Sequence, residues 1–221
     1  MLAAGSVDTR ELREAIGRMV FVYGALSWDR PFLAPLFAFL KLHAIGVKVA
    51  LPLYVKIVIK WLRDRLSVRR GHPVREHRRK LRDAMRVDAK AEGLAVALGG
   101  WAPQYREDGS VDTRTSKWFS VRLDENTAPW AFSRGLPARS ISTLELLATT
   151  VGLVLLAPHG LEEPDVEGTV TVQGLTDSQV SSHVVTRGLT TTYPLCCIAM
   201  ELAAQLERRG CELPSSGFLG R

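Results

Sequence analysis

The sequence predicts an α/β protein: a mixed sheet with flanking helices, preceded by a smaller helical segment. Three observations carry this expectation. Apolar residues recur at helical spacing through the first third, and from about residue 83 the pattern changes to short β-rich runs separated by turn residues. The order of elements is then three strands, a helix, a strand and further helices. A strand, helix, strand unit requires parallel pairing, while three strands joined by short links can form an antiparallel meander.

In the first third, Asp8 and Glu11 have capping-box spacing, and Leu12, Ala15, Ile16, Met19, Val22, Tyr23 and Leu26 follow at helical intervals. Pro31 suits the first turn of a second helix ending near His43, and Gly46 breaks it. A third helix is expected from about Pro52 to Leu66, with Leu53, Ile57, Trp61, Val58 and Leu62 inward and Lys56, Lys60 and Arg63 on another face. Strands are then expected at 85–89, 94–101 and 117–123, with REDGSVDTR as a turn before the last. A helix over 142–156, a strand over 168–175 with the run Thr-Val-Thr-Val, and helices over 178–186 and 194–209 follow. In the last helix, Leu195, Ile198, Leu202 and Leu206 share a face, and a further strand begins at 211–213.

The chain has 221 residues, 46% hydrophobic and 24% charged, enough apolar material for one or two packed domains. Its first 15 residues turn charged before any apolar run develops, so no secretory signal is expected and the protein is placed inside a cell, in cytoplasm or nucleus. The most apolar stretch, Phe32 to Trp61, is interrupted by Lys41, Lys48, Lys56, Lys60, Pro35 and Pro52. It lacks the run of about 20 apolar residues that a bilayer demands, so no membrane partner is expected. Cys196, Cys197 and Cys211 have no metal-ligand spacing and are read as reduced core or near-core residues.

Net charge is +6, and its distribution says more than its size. Between Arg63 and Arg86, ten Lys or Arg stand against three acids, a local charge of +7 that leaves the rest of the chain at −1. Such a stretch is the footprint of phosphate binding, or else a solvated linker or localisation signal. The organisation read from these patterns is a helical segment at 1–82 ending in a basic linker at 63–86, a sheet domain at 83–213, and a tail at 214–221 unlike the rest.

Three acids stand out, each with a bland alternative. Asp88 lies inside the first strand, where an acid points to a site or to solvent. Glu145 is the one charge in a long apolar helix, on a stripe with Thr149 and Gly152; Ser142 and Glu145 also have capping-box spacing. Asp177 stands at the carboxyl end of a strand, where α/β sheets place ligands, and could equally cap the next helix. No Gly-x-Ser-x-Gly, Cys-plus-His, Gly-x-Gly-x-x-Gly or Walker pattern occurs, so serine or cysteine hydrolases and nucleotide cofactors find no support.

Leu-Thr-Asp177-Ser-Gln after a strand resembles the Thr-Asp-Ser-Gln signature of ribonuclease H, and Ser-Thr-Leu-Glu145-Leu-Leu-Ala resembles that family's Glu-Leu-x-Ala helix. Val-Asp88-Ala-Lys, with Gly99-Gly100-Trp101 on the next strand, is similar to the family's opening Asp and glycine-rich strand. The likeness covers about 83–213 in matching order. Gly-Arg-Met-Val-Phe-Val-Tyr-Gly-Ala-Leu-Ser-Trp and Arg-Pro-Phe-Leu-Ala-Pro-Leu-Phe-Ala look like the segment after the polymerase core of retrotransposon reverse transcriptases, a thumb or connection remnant. No polymerase Asp-Asp motif is present.

The resemblance implies two-metal phosphodiester hydrolysis with Asp88, Glu145 and Asp177 as the catalytic carboxylates and ligands of Mg²⁺ or Mn²⁺. The implied substrate is the RNA strand of an RNA–DNA hybrid, with Gln179 in its groove and Arg69, Arg70, Arg78, Arg79 and Lys80 on phosphates. The family continues with a full fifth strand, a histidine-bearing loop and a helix bearing a fourth acid; here Glu212-Leu213 is followed by Pro-Ser-Ser-Gly-Phe-Leu-Gly-Arg, so truncation is expected. Ser142 replaces the family's Asn three residues before the glutamate. A non-catalytic nucleic-acid binder, held through the basic stretch, is the alternative.

Overall fold

The computed structural model describes residues 5–24, 27–68, 78–133, 135–156, 169–175, 188–209 and 211–213. The chain divides into two compact units, Met1–Val74 with Gly188–Cys196, and Arg75–Arg187 with Cys197–Arg221.

In the first unit, β1 (Ser6–Asp8) pairs antiparallel with β2 (Lys48–Ala50), a ribbon too short for a period of two to register in the sequence. Three helices follow: α1 (Thr9–Gly24), α2 (Ala34–Lys41) and α3 (Leu53–Val68). Asp8 caps α1, its Oδ1 accepting a hydrogen bond from the Arg10 backbone N–H at 2.7 Å. The helix expected to begin at Pro31 is instead a 3₁₀ turn, Ser27–Leu33, followed by α2. Pro35 explains the break: it donates no hydrogen bond, and its ring crowds the carbonyl of residue 31.

The inward face of α3 differs from expectation in part: Leu62 is buried and Val58 and Trp61 pack against the core as expected, but Leu53 and Ile57 do not. Val55, Ile59 and Leu62 are buried, joining Leu12, Ile16, Leu33 and Leu36, whereas Leu53 and Ile57 are 73% and 58% exposed. Both stripes are apolar, so composition alone does not choose between them; docking against the neighbouring helices does. The carboxylate of buried Asp29 meets Arg65 Nε at 2.8 Å, and the Arg65 guanidinium lies 4.7 Å from the centre of the Trp61 ring.

The second unit is built on a five-stranded sheet of β3 (Arg78–Glu92), β4 (Ala95–Ala102), β5 (Lys117–Leu123), β6 (Thr169–Leu175) and β7 (Cys211–Glu212). Their spatial order is β5-β4-β3-β6-β7. β3, β4 and β5 form an antiparallel meander, while β6 runs parallel to β3 and β7 parallel to β6. This is the mixed sheet expected. The helices include α4 (Pro129–Phe132), α5 (Ile141–Leu155) and, in this numbering, α6 (Leu195–Arg208). In α6, Leu195, Ala199, Leu202 and Leu206 are buried, and Arg209 beyond it donates to the Val154 carbonyl at 3.0 Å. The helix expected over 178–186 and the tail at 214–221 lie outside the described residues.

The basic linker expected at 63–86 is in part regular structure. Its start closes α3 and its last nine residues, from Arg78, belong to β3. Two of its charges are also spoken for: Arg63 pairs with Asp64 at 2.7 Å and Arg65 with Asp29. By length and composition, Pro137–Leu155 is apolar enough to cross a membrane, and half of it is buried inside the structure. Its buried residues include Leu144, Leu146, Ala148 and Leu153, so packing accounts for its apolarity.

Candidate functional site

The register of the meander assigns every side chain to a face. Arg86 is opposite Trp101, Val87 opposite Gly100 and Asp88 opposite Gly99; Gly100 in turn is opposite Phe119, Gly99 opposite Ser120 and Trp101 opposite Trp118. Because successive side chains point to opposite faces, Met85, Val87 and Ala89 share one face and Arg86, Asp88 and Lys90 the other. Burial agrees: the first three are buried and the second three exposed.

Helix α5 packs on the face of Met85 and Val87. A Cβ at Gly152 would stand 2.5 Å from Val87 Cγ1 and 3.2 Å from Met85 Sδ, and one at Gly100 would stand 2.5 Å from the Phe119 ring. These two glycines let the helix and the aromatic ring settle onto the sheet. The stripe of Glu145, Thr149 and Gly152 therefore faces the strands, with Thr149 fully buried and its hydroxyl donating to the Glu145 carbonyl at 3.0 Å. Glu145 itself is half-buried. The helix begins at Ile141 with Ser140 as N-cap, so Ser142 lies inside α5 and not at its cap position.

As the crossover between β5 and β6, which run in the same direction, α5 runs against the strands, and its first turns lie toward their carboxyl ends. Seven residues separate Gly152 from Glu145, about 10 Å of helix. Glu145 therefore sits near the carboxyl end of β3. Asp88 is on that same strand, which is central in the sheet and not an edge, but its side chain is on the face away from α5. Its Oδ1 accepts from the Ala89 backbone N–H at 2.8 Å.

Asp177 and Gln179 lie outside the described residues, as do Arg69 and Arg70. Arg78, Arg79 and Lys80 are in β3 by backbone, paired with Thr169, Val170 and Thr171 of β6. For a divalent cation such as Mg²⁺ the donor chemistry is right, since hard ions take carboxylate oxygens. The direction of the donors is not: Asp88 and Glu145 are on opposite sides of the sheet, and among the described residues no group of three His, Cys, Asp or Glu could hold a metal ion.

The opposite face holds residues that attracted no attention as a group in the sequence. Arg86, Trp101 and Trp118 form one rung across three strands, with the Arg86 guanidinium 5.4 Å from the Trp101 ring centre. The signal was available: in 117–123, Trp118, Ser120 and Arg122 alternate with Phe119, Val121 and Leu123.

No family model matches the chain, and no curated protein matches it. Among solved structures, RNase H1 from the halophilic archaeon Halobacterium salinarum NRC-1 is similar, with a TM-score of 0.33 and 15% identity over 62% of this chain and 84% of that one. Backbones so loosely matched do not carry residue roles from one protein to the other.

Proposed function

We propose that the sheet unit is a ribonuclease H-like domain that engages RNA–DNA hybrids and hydrolyses their RNA strand, with Asp88, Glu145 and Asp177 as its carboxylates. One observation carries the reading. On the adjacent parallel strands Arg86 pairs with Leu175, and Asp88 and Asp177 each stand two residues further along their chains. Arg86–Leu175 is the last described pair between β3 and β6, so the strand that holds Asp88 and the strand that leads into the Asp177 motif are neighbours in the sheet. Glu145, on the sheet-facing stripe of α5, supports the same end of the sheet. Mg²⁺ is the ion the resemblance implies, with Asp88, Glu145 and Asp177 as the residues that would hold it; Asp88 and Glu145, on opposite sides of the sheet, do not converge on one site. Gln179, two residues beyond Asp177 in the chain, is the groove contact the resemblance implies. A retroelement origin is the reading of the first third, on its likeness to the segment after a polymerase core.

A second reading, a nucleic-acid holder that does not cleave, is favoured by the direction of Asp88 away from α5. Binding of labelled hybrid, duplex DNA and duplex RNA of one sequence tests the substrate class. The domain is expected to prefer the hybrid through its groove shape and 2′-hydroxyls. Equal affinity for all three, with the same steep loss in salt, would leave phosphate holding alone.

A further inference from the structure

The sheet face turned away from α5 has the composition of a stacking surface. Trp118 is 73% exposed on β5, directly opposite Trp101, which carries Arg86 against its ring. Cross-strand partners of this kind have Cβ atoms about 5 Å apart, so the three side chains form one continuous rung. The next rung is low: Asp88, Gly99 and Ser120, where a Cβ at Gly99 would meet nothing closer than the Phe119 carbonyl at 3.8 Å. Beyond it stand Lys90, Ala97 and Arg122, with Lys90 held by Glu92 at 2.6 Å. The result is a shallow floor of small residues with tryptophans at one end and an exposed arginine at the other, about 13 Å along the strand from Trp118 to Arg122.

We infer that this face binds single-stranded nucleic acid, bases stacking on Trp118 and Trp101 and phosphates meeting Arg86 and Arg122. Indole faces are sequence-tolerant platforms for bases, and arginine supplies both phosphate pairing and cation–π stacking. A face built for an apolar protein partner would carry aliphatic side chains; this one carries Arg86, Asp88, Lys90, Ser120 and Arg122 beside its tryptophans, three cations to one acid. The inference rests on the nucleic-acid reading above and deepens it: Asp88, one of the proposed carboxylates, stands in the middle rung of this same face, between the tryptophans and Arg122.

The test is fluorescence anisotropy of labelled 12-mers of deoxythymidine and uridine with the full chain, alongside a hybrid duplex. Trp118→Ala and Arg122→Glu are compared with Phe21→Ala, which removes an 86%-exposed aromatic in the other unit. Trp118→Ala is expected to weaken single-strand binding about tenfold, as loss of one stacked base does. Arg122→Glu should weaken it and flatten its salt dependence, and Phe21→Ala should do neither. Single-strand affinity unchanged in both variants, with hybrid binding intact, overturns this inference and spares the proposed function; no binding of either probe by the wild type overturns both. Trp118→Ala abolishing self-association in sedimentation without altering oligonucleotide affinity would make the face a protein interface instead. DNA and RNA 12-mers distinguish a preference for either strand.

Discussion

A methyl group added at Gly152 would stand 2.5 Å from Val87, closer than real Cβ atoms come, and a tight 3.2 Å from Met85, because α5 lies directly on the buried side of β3 there. Gly152→Ala should therefore cost about 1–3 kcal/mol, the usual range for overpacking a core, read as a lower urea midpoint. The stripe of Glu145, Thr149 and Gly152 was legible as small and polar positions on an apolar rod, because helical spacing alone defines it. Arg65 was not legible in the same way. In the sequence it belongs to a run of basic residues, while its partner Asp29 is 36 positions away and buried. Arg65→Met would remove this ion pair, and breaking a buried pair destabilises by about 3–5 kcal/mol. An unchanged urea midpoint would show the pair to be dispensable. The cysteines divide by burial: Cys197 is exposed, while Cys196 and Cys211 are buried and burial pushes the Cys211 thiol up. Iodoacetamide at neutral pH is expected to modify Cys197 first, and Cys211 only on unfolding.

At the level of elements, period-2 and period-3.6 patterns located nearly every described strand and helix of the sheet unit, with β5 spanning the residues expected. What they did not settle was direction of facing where both options are apolar. In α3, Ile57 and Ile59 are chemically identical and two residues apart, yet Ile59 is 8% exposed and Ile57 58%. Ile59→Ala is expected to cost about 2–4 kcal/mol and Ile57→Ala under about 1 kcal/mol. Comparable losses at both positions would contradict the docking of α3 described here. In β3 the same ambiguity affects chemistry. Asp88 was legible as an acid inside a strand, but which face it takes depends on register with β4 and on where α5 lands, both set by contacts distant in sequence.

Across the whole molecule, the β-α-β segment dictated that β6 would run parallel to an earlier strand, but not which strand it would choose. Pairing with β3 makes the opening strand central and sets Leu175, the last residue of β6, beside Arg86, two residues before Asp88. The basic stretch reads differently at this scale as well, since part of its charge is used within the helical unit and part runs along β3. Hybrid binding is accordingly expected to fall with salt less steeply than ten free cations would require. The most direct measurement is cleavage of a hybrid labelled on its RNA strand, with Mg²⁺ and with Mn²⁺, by the wild type and by Asp177→Asn. The account predicts shortened RNA with the wild type and intact RNA with the variant at equal hybrid binding. Intact RNA with both, or equal cleavage by both, would contradict it.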